Sequence, residues 1–157
     1  MLKYWIVKQL NKKYILRVGK RIFSCQVGNG GIKIPTKKIE GDHVTPMGLW
    51  KLGAIYYRND RILRSNFKRS YFSNINVITK NCGWCDDIKS SRYNTYVRID
   101  KILQNKFTFE NLWREDDAYD IVITINHNMK PIIKNKGSAI FLHLTKNYQP
   151  TAGCIAV

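Results

Sequence analysis

Short strand-forming runs, each cut by a turn residue, begin almost at the first position and leave little room for anything but sheet. Residues 3–7, 13–18 and 21–27 are rich in β-branched and aromatic side chains, and Gly19-Lys20 separates the last two. Such runs suit a pleated, half-buried surface, and a turn glycine supplies the backbone that a hairpin requires. Two or three antiparallel strands are therefore predicted before residue 28. Residues 118–125 form a second strong strand signal, and residues 49–52 alternate behind Thr45-Pro46-Met47-Gly48, where Pro46 presses Thr45 into extended geometry. One segment, residues 101–113, favours a helix, although Phe107-Thr108-Phe109 spoils its apolar stripe. The expected class is mostly β: a sandwich or closed mixed sheet with one or two short helices.

The chain has 157 residues, 44% hydrophobic and 12% aromatic, which is enough for one folded domain with a real core. No apolar run approaches the ~18 residues of a bilayer span. At the amino end Lys8 and Gln9 interrupt the apolar run, and Asn11-Lys12-Lys13 follow where a signal peptide wants small residues, so no export signal is visible. A formal charge of +16 points to an acidic partner: nucleic acid, an anionic membrane surface or an anionic glycan. The cations are spread over the whole chain among Asn, Ile and Tyr, a pattern that codon drift in an AT-rich genome also produces. Residues 54–72 interleave arginines with aromatics in the manner of single-strand nucleic-acid binders. Without a recognisable nucleic-acid module, inward-packed rings and solvated arginines account for them more simply, and a specific nucleic-acid partner is not expected.

Four cysteines are too few and too unevenly placed for a disulfide scaffold. Cys25, inside the third predicted strand, reads as a buried structural thiol. Cys82-Gly83-Trp84-Cys85 has the spacing of a dithiol redox site or of half a zinc site. It lies in a predicted loop with no helix behind it and no second ligand pair elsewhere, so neither a metal nor a redox couple is favoured. The glycines of Gly28-Asn29-Gly30-Gly31 lack the Lys-Ser/Thr pair of a phosphate-binding loop and read as a hairpin or bulge.

Two apolar runs end in histidines, His127 and His143, and Cys154 follows the second after a polar loop. A thiol is a nucleophile only as its thiolate, and an imidazole within reach can take its proton. Gly153 permits tight backbone approach, so the amides of Gly153 and Cys154 can face a developing oxyanion. A buried cysteine beside a core histidine fits the same residues.

Thr151-Ala152-Gly153-Cys154-Ile155, with His143 upstream, resembles the [Ser/Thr]-x-Gly-Cys-[apolar] signature of the bacterial L,D-transpeptidases, cysteine enzymes that cross-link peptidoglycan. The resemblance extends to Glu40-Gly41-Asp42 with Thr45-Pro46-x-Gly48, to Gly83-Trp84-Cys85-Asp86-Asp87, to Leu112-Trp113-Arg114-Glu115-Asp116, to Tyr119-Asp120, His127-Asn128 and residues 137–143. It implies a single catalytic domain of the L,D-transpeptidase β fold over residues 1–157, acting as a monomer on peptidoglycan stem peptides without a cofactor. By position, Cys154 becomes the nucleophile, His143 the base, and Gly153 and Cys154 the oxyanion donors. His127, Asn128, Trp84, Asp86, Asp87 and Arg114 become cleft residues. The implied location is the cell envelope or periplasm. The chain departs from the family pattern at Ala152 and Ala156, where polar residues are common, and at His43, where glycine is expected. The interval from His143 to Cys154 is short, and only three residues follow the cysteine, so a weakly supported, impaired site is expected. The rival functions are a thiol oxidoreductase built on Cys82 and Cys85 and a non-catalytic basic module binding glycan or nucleic acid.

Overall fold

The computed structural model describes residues 4–67 and 74–157. Lys68, Arg69, Tyr71 and Phe72, the distal part of the basic aromatic stretch, lie outside them. The predicted amino-terminal meander forms as β1 (Trp5–Leu10), β2 (Lys13–Val18) and β3 (Arg21–Cys25), antiparallel throughout. Two-residue strands β4 (Ile32–Lys33) and β5 (Thr45–Pro46) then pair in parallel.

A central mixed sheet takes strands from distant parts of the chain. β6 (Leu52–Tyr57), β7 (Ile75–Val77), β11 (Ile121–Ile125), β12 (Phe141–His143) and β13 (Ile155–Ala156) lie in the order β13-β12-β11-β6-β7. A third, antiparallel sheet has β8 (Cys82–Cys85) between β9 (Tyr96–Arg98) and β10 (Phe109–Asn111).

Period-two alternation along the central strands divides the core. Tyr56, Val122 and Phe141 point to one face and pack with Cys82 and Trp84 of β8. Their neighbours Ile55, Ile123 and Leu142 point to the other and pack with Leu16 and Cys25 of the meander. The central sheet is thus sandwiched between two antiparallel sheets, and the protein is mostly β, as expected, with 36% strand and 4% helix among the described residues. Two one-turn 3-10 helices, Pro35–Lys37 and Arg64–Asn66, are the helical content of the described residues.

Several local expectations need correction. The helix over 101–113 does not form: residues 101–106 are turns, and Phe109 enters β10. The Asp100 carboxylate accepts the amides of Ile102 and Leu103, the bonding of a helix N-cap, but only turns follow it, and the Phe107 to Phe109 run leads into a sheet. The alternating segment 49–52 is irregular until Leu52 starts β6. The terminal apolar run becomes strand only at Phe141, because Ala139 has φ +51° and breaks the extension. Cys82 and Cys85 belong to a strand, not a loop. Three positions apart on an extended chain their side chains face opposite ways, with Cα atoms about 10 Å apart, well beyond disulfide reach. Both thiols are free and buried, which removes the basis of the oxidoreductase reading.

Candidate active site

The tail of the chain is built into the fold at several points. β13 runs parallel to β12, with Leu142 opposite Ile155 and His143 opposite Ala156. On its other side Ala156 exchanges two backbone hydrogen bonds with Gln26, at the end of β3. Val157 continues the anchoring, its N–H donating to His143 O and its carbonyl accepting from Thr145 N. The three residues after Cys154 therefore hold it from both sides, contrary to the expectation of a weakly supported site.

The loop leading to the cysteine is fixed by two threonine hydroxyls. Thr151 Oγ1 accepts the Gly153 N–H at 3.1 Å and donates to Cys154 O at 2.7 Å. Gly153 has φ +137°, accessible at little cost only to glycine, and a Cβ there would stand 3.1 Å from Val44 O. Buried Thr45 reaches in from β5: its Oγ1 accepts the Gly28 N–H at 2.8 Å and donates to Gly153 O at 2.8 Å. Gly28 must be glycine for the same packing, since a Cβ would fall 2.2 Å from His43 O and 3.0 Å from Gly153 Cα. The Gly28–Gly31 segment is thus a close-packing turn against the cysteine loop. The Cys154 N–H makes no hydrogen bond to the described residues.

Carrying the parallel register one position back aligns Cys154, just before β13, with Phe141, which puts the cysteine and His143 on the Trp84 side of the sheet and diagonally placed. Diagonal Cβ atoms of a sheet are about 7–8 Å apart, a gap an imidazole and a thiol can span. In the resting arrangement the Cys154 thiol donates to Ala139 O at 3.2 Å and accepts the Phe141 N–H at 3.4 Å. His143 Nδ1 bonds Leu144 O at 2.7 Å. A carbonyl only accepts, so Nδ1 carries the proton and Nε2 is left as the basic nitrogen. Burial pushes the Cys154 thiol up to about 12 and lowers the basicity of His143, against the Leu144 carbonyl. The pair rests as thiol and neutral imidazole.

The Tyr119 ring meets His143 edge-on, with centroids 5.0 Å apart, and Arg114 stands 5.0 Å over the same tyrosine. Arg114 grips Asp116 through two hydrogen bonds of 2.7 and 2.6 Å, which holds the Asp116 carboxyl well below the usual range. With Glu110, Trp113 and Lys146 they line an open cleft of about 650 Å³. Burial raises Glu110, whose carboxyl lies beside the Tyr119 hydroxyl.

The other residues singled out from the sequence fall in different places. Trp84 is buried, its ring edge against Phe141 and its Nε1 donating to Asn94 Oδ1. His127 is buried, donates from Nε2 to Lys136 O and has no partner for Nδ1 among the described residues, and burial lowers its pKa. Asn128 braces its own loop, donating to Ile133 O and Gly137 O. Asp86 and Asp87 border a second cavity of about 420 Å³ with Glu40 and Thr108. Arg114 alone of the six lines this cleft, and Tyr119 stands between it and His143, which with Cys154 is not part of the lining.

Two residues absent from the sequence-based set matter to the site. Thr45 was visible only as part of a turn. Asn94 gave no local signal, yet its Oδ1 accepts from Trp84 Nε1 and Ala139 N, while its Nδ2 donates to the carbonyls of His127 and Asn128. It thereby fixes the Ala139 kink whose carbonyl faces the thiol. His43, standing where glycine was expected, adopts φ +56°, the conformation a glycine would supply.

Neither a curated protein nor a solved structure is significantly similar to the chain. Residues 3–157 match the YkuD family, described as the L,D-transpeptidase catalytic domain. With that match spanning nearly every residue, the chain belongs to the YkuD family of L,D-transpeptidase catalytic domains.

Proposed function

We propose that residues 1–157 form one catalytic domain that cross-links peptidoglycan stem peptides through a Cys154 thioester. The observation that carries this reading is the placement of Cys154, immediately before β13, next to β12 and its His143, with His143 Nδ1 tied to Leu144 O. That bond leaves Nε2 to act as base. As a donor peptide enters, its carbonyl carbon is attacked by Sγ and the thiol proton passes to His143 Nε2. The C–N bond to the terminal D-residue breaks, and the departing amine takes that proton. An acceptor amine then attacks the thioester, gives its proton to His143 and releases the thiolate, which recovers a proton as the site resets.

Cys154 N–H, unengaged in the resting loop, is the first oxyanion donor, and Gly153 N–H becomes the second once it releases Thr151 Oγ1. Arg114 and its cleft receive the peptide, with Trp84 beneath. His127, Asn128, Asp86 and Asp87 act on the neighbouring loops that shape it. Water in place of the amine gives carboxypeptidase or endopeptidase hydrolysis. The chemistry uses no cofactor, and we place a monomeric enzyme at the cell envelope.

Cys154→Ala is expected to abolish both cross-linking and stem-peptide cleavage on purified muropeptides, and a carbapenem is expected to acylate Cys154 in the unsubstituted protein. Intact mass with no adduct, together with full activity in the alanine variant, would overturn the assignment.

A further inference from the structure

The outer face of the β1–β3 meander, which enters neither core cluster of the described residues, has an unusual make-up for a sheet face. Register puts Val7, Leu16 and Phe23 in one inward row, so Ile6, Arg17 and Ile22 form an outward row, and Lys8, Ile15 and Ser24 the next. Ile22 is 62% exposed, and Leu10 on the same face is 49% exposed. Although cations occur throughout the chain, acids do not: none of the 11 Asp and Glu residues precedes Glu40. Branched aliphatic side chains and cations therefore alternate on a sheet face with no carboxylate anywhere in its layer.

We propose that this face docks on an anionic lipid bilayer. Lys8, Lys13 and Arg17 complement acidic headgroups. Ile6, Ile15, Ile22 and Leu10 carry neither hydrogen-bonding groups nor π faces, so a hydroxyl-rich glycan or a nucleic acid offers them nothing to pair or stack with. The boundary between headgroups and acyl chains does. Long cationic side chains keep their charge in the headgroup layer while the aliphatic groups between them sink below it. Leu16 and Cys25 hold the opposite face to the central sheet, and Cys154 lies beyond that sheet, so docking leaves the candidate cleft open.

Flotation with phosphatidylcholine vesicles, with and without phosphatidylglycerol, tests this. The protein is expected to float with the anionic vesicles only. Exchanging Lys8, Lys13 and Arg17 together for Gln should weaken partition by about two orders of magnitude, and Ile22→Ser by about tenfold. Removing three exposed cations elsewhere, Lys101, Lys106 and Lys130, should change it by less than about threefold, being distant from the docked face. All the substituted side chains are at the surface, and unchanged thermal melting of each variant verifies the fold. Equal loss in the distant-charge variant, equal flotation with neutral vesicles, or no flotation at all would overturn the proposal. So would loss of DNA or sacculus binding in the Lys8/Lys13/Arg17 variant with vesicle binding intact.

Discussion

Thr45 joins three segments far apart in sequence: its own strand, the Gly28 turn and the loop 108 positions away that carries Gly153. Thr45→Val keeps the shape and loses both hydrogen bonds, leaving a buried N–H and a buried carbonyl without partners. The expected cost is about 1–3 kcal/mol in urea unfolding, with slower carbapenem acylation of Cys154. Thr45→Ser should restore most of both, whereas a Val variant as stable and reactive as the original would show that the hydroxyl is dispensable. The Thr-Pro-x-Gly motif was legible from its residues as a turn. Its bond to the cysteine loop was not, because nothing local in a sequence encodes a hydroxyl's distant acceptor. His43 is the converse case, since a side chain that departs from the family pattern keeps the backbone conformation the pattern demands.

At the scale of elements, the site depends on where strands stop. β12 covers only Phe141–His143 because Ala139 turns into the left-handed region, and Asn94 Oδ1 holds the Ala139 N–H that makes the turn. Asn94→Ala would strand the Trp84 and Ala139 donors and free the carbonyl that engages the Cys154 thiol. Cys154 should then be labelled faster by a thiol reagent, read at that residue by peptide mass spectrometry. Unchanged labelling in a folded variant would show that the kink stands without Asn94. The meander and β11 were readable because alternation and β-branched runs are local. The absent helix at 101–113 was not, since propensity there was overruled by the pairing of Phe109 with Cys85. The Cys82–Cys85 spacing misled for a related reason: in an extended strand, three positions separate two thiols instead of joining them.

Over the whole molecule, burial sets how stability responds to pH. Burial raises Cys25 to about 11 and Cys154 to about 12, against about 8.5 for an unfolded thiol. Their folded pKa values lie above the unfolded ones, so their contribution is complete below about 8.5 and is lost as pH climbs towards 11–12. His127 and His143 are lowered by burial, so protonation favours the unfolded chain and stability declines as pH falls below about 6.5. Thermal melts across pH should show a plateau between about 6.5 and 8.5, and Cys25→Ala should flatten part of the alkaline fall. An unsubstituted protein with no alkaline fall would contradict the burial of these thiols.

Taken alone, the order of residues determined the strand-rich class, the Thr-x-Gly-Cys loop and the histidine upstream of it, since alternation, turn chemistry and short motifs are written over a few neighbouring positions. Tertiary structure decided which strands became partners, which face each chemical group occupies and what holds the tail. β13 gains its place from β12 on one side and Gln26 on the other, contacts spanning 13 and 130 positions. Register sets the side of a sheet on which a side chain lies, and register is a property of two strands together. The cysteine and histidine share a face because their strands pair in parallel at one offset, and a shift of one residue would turn them apart.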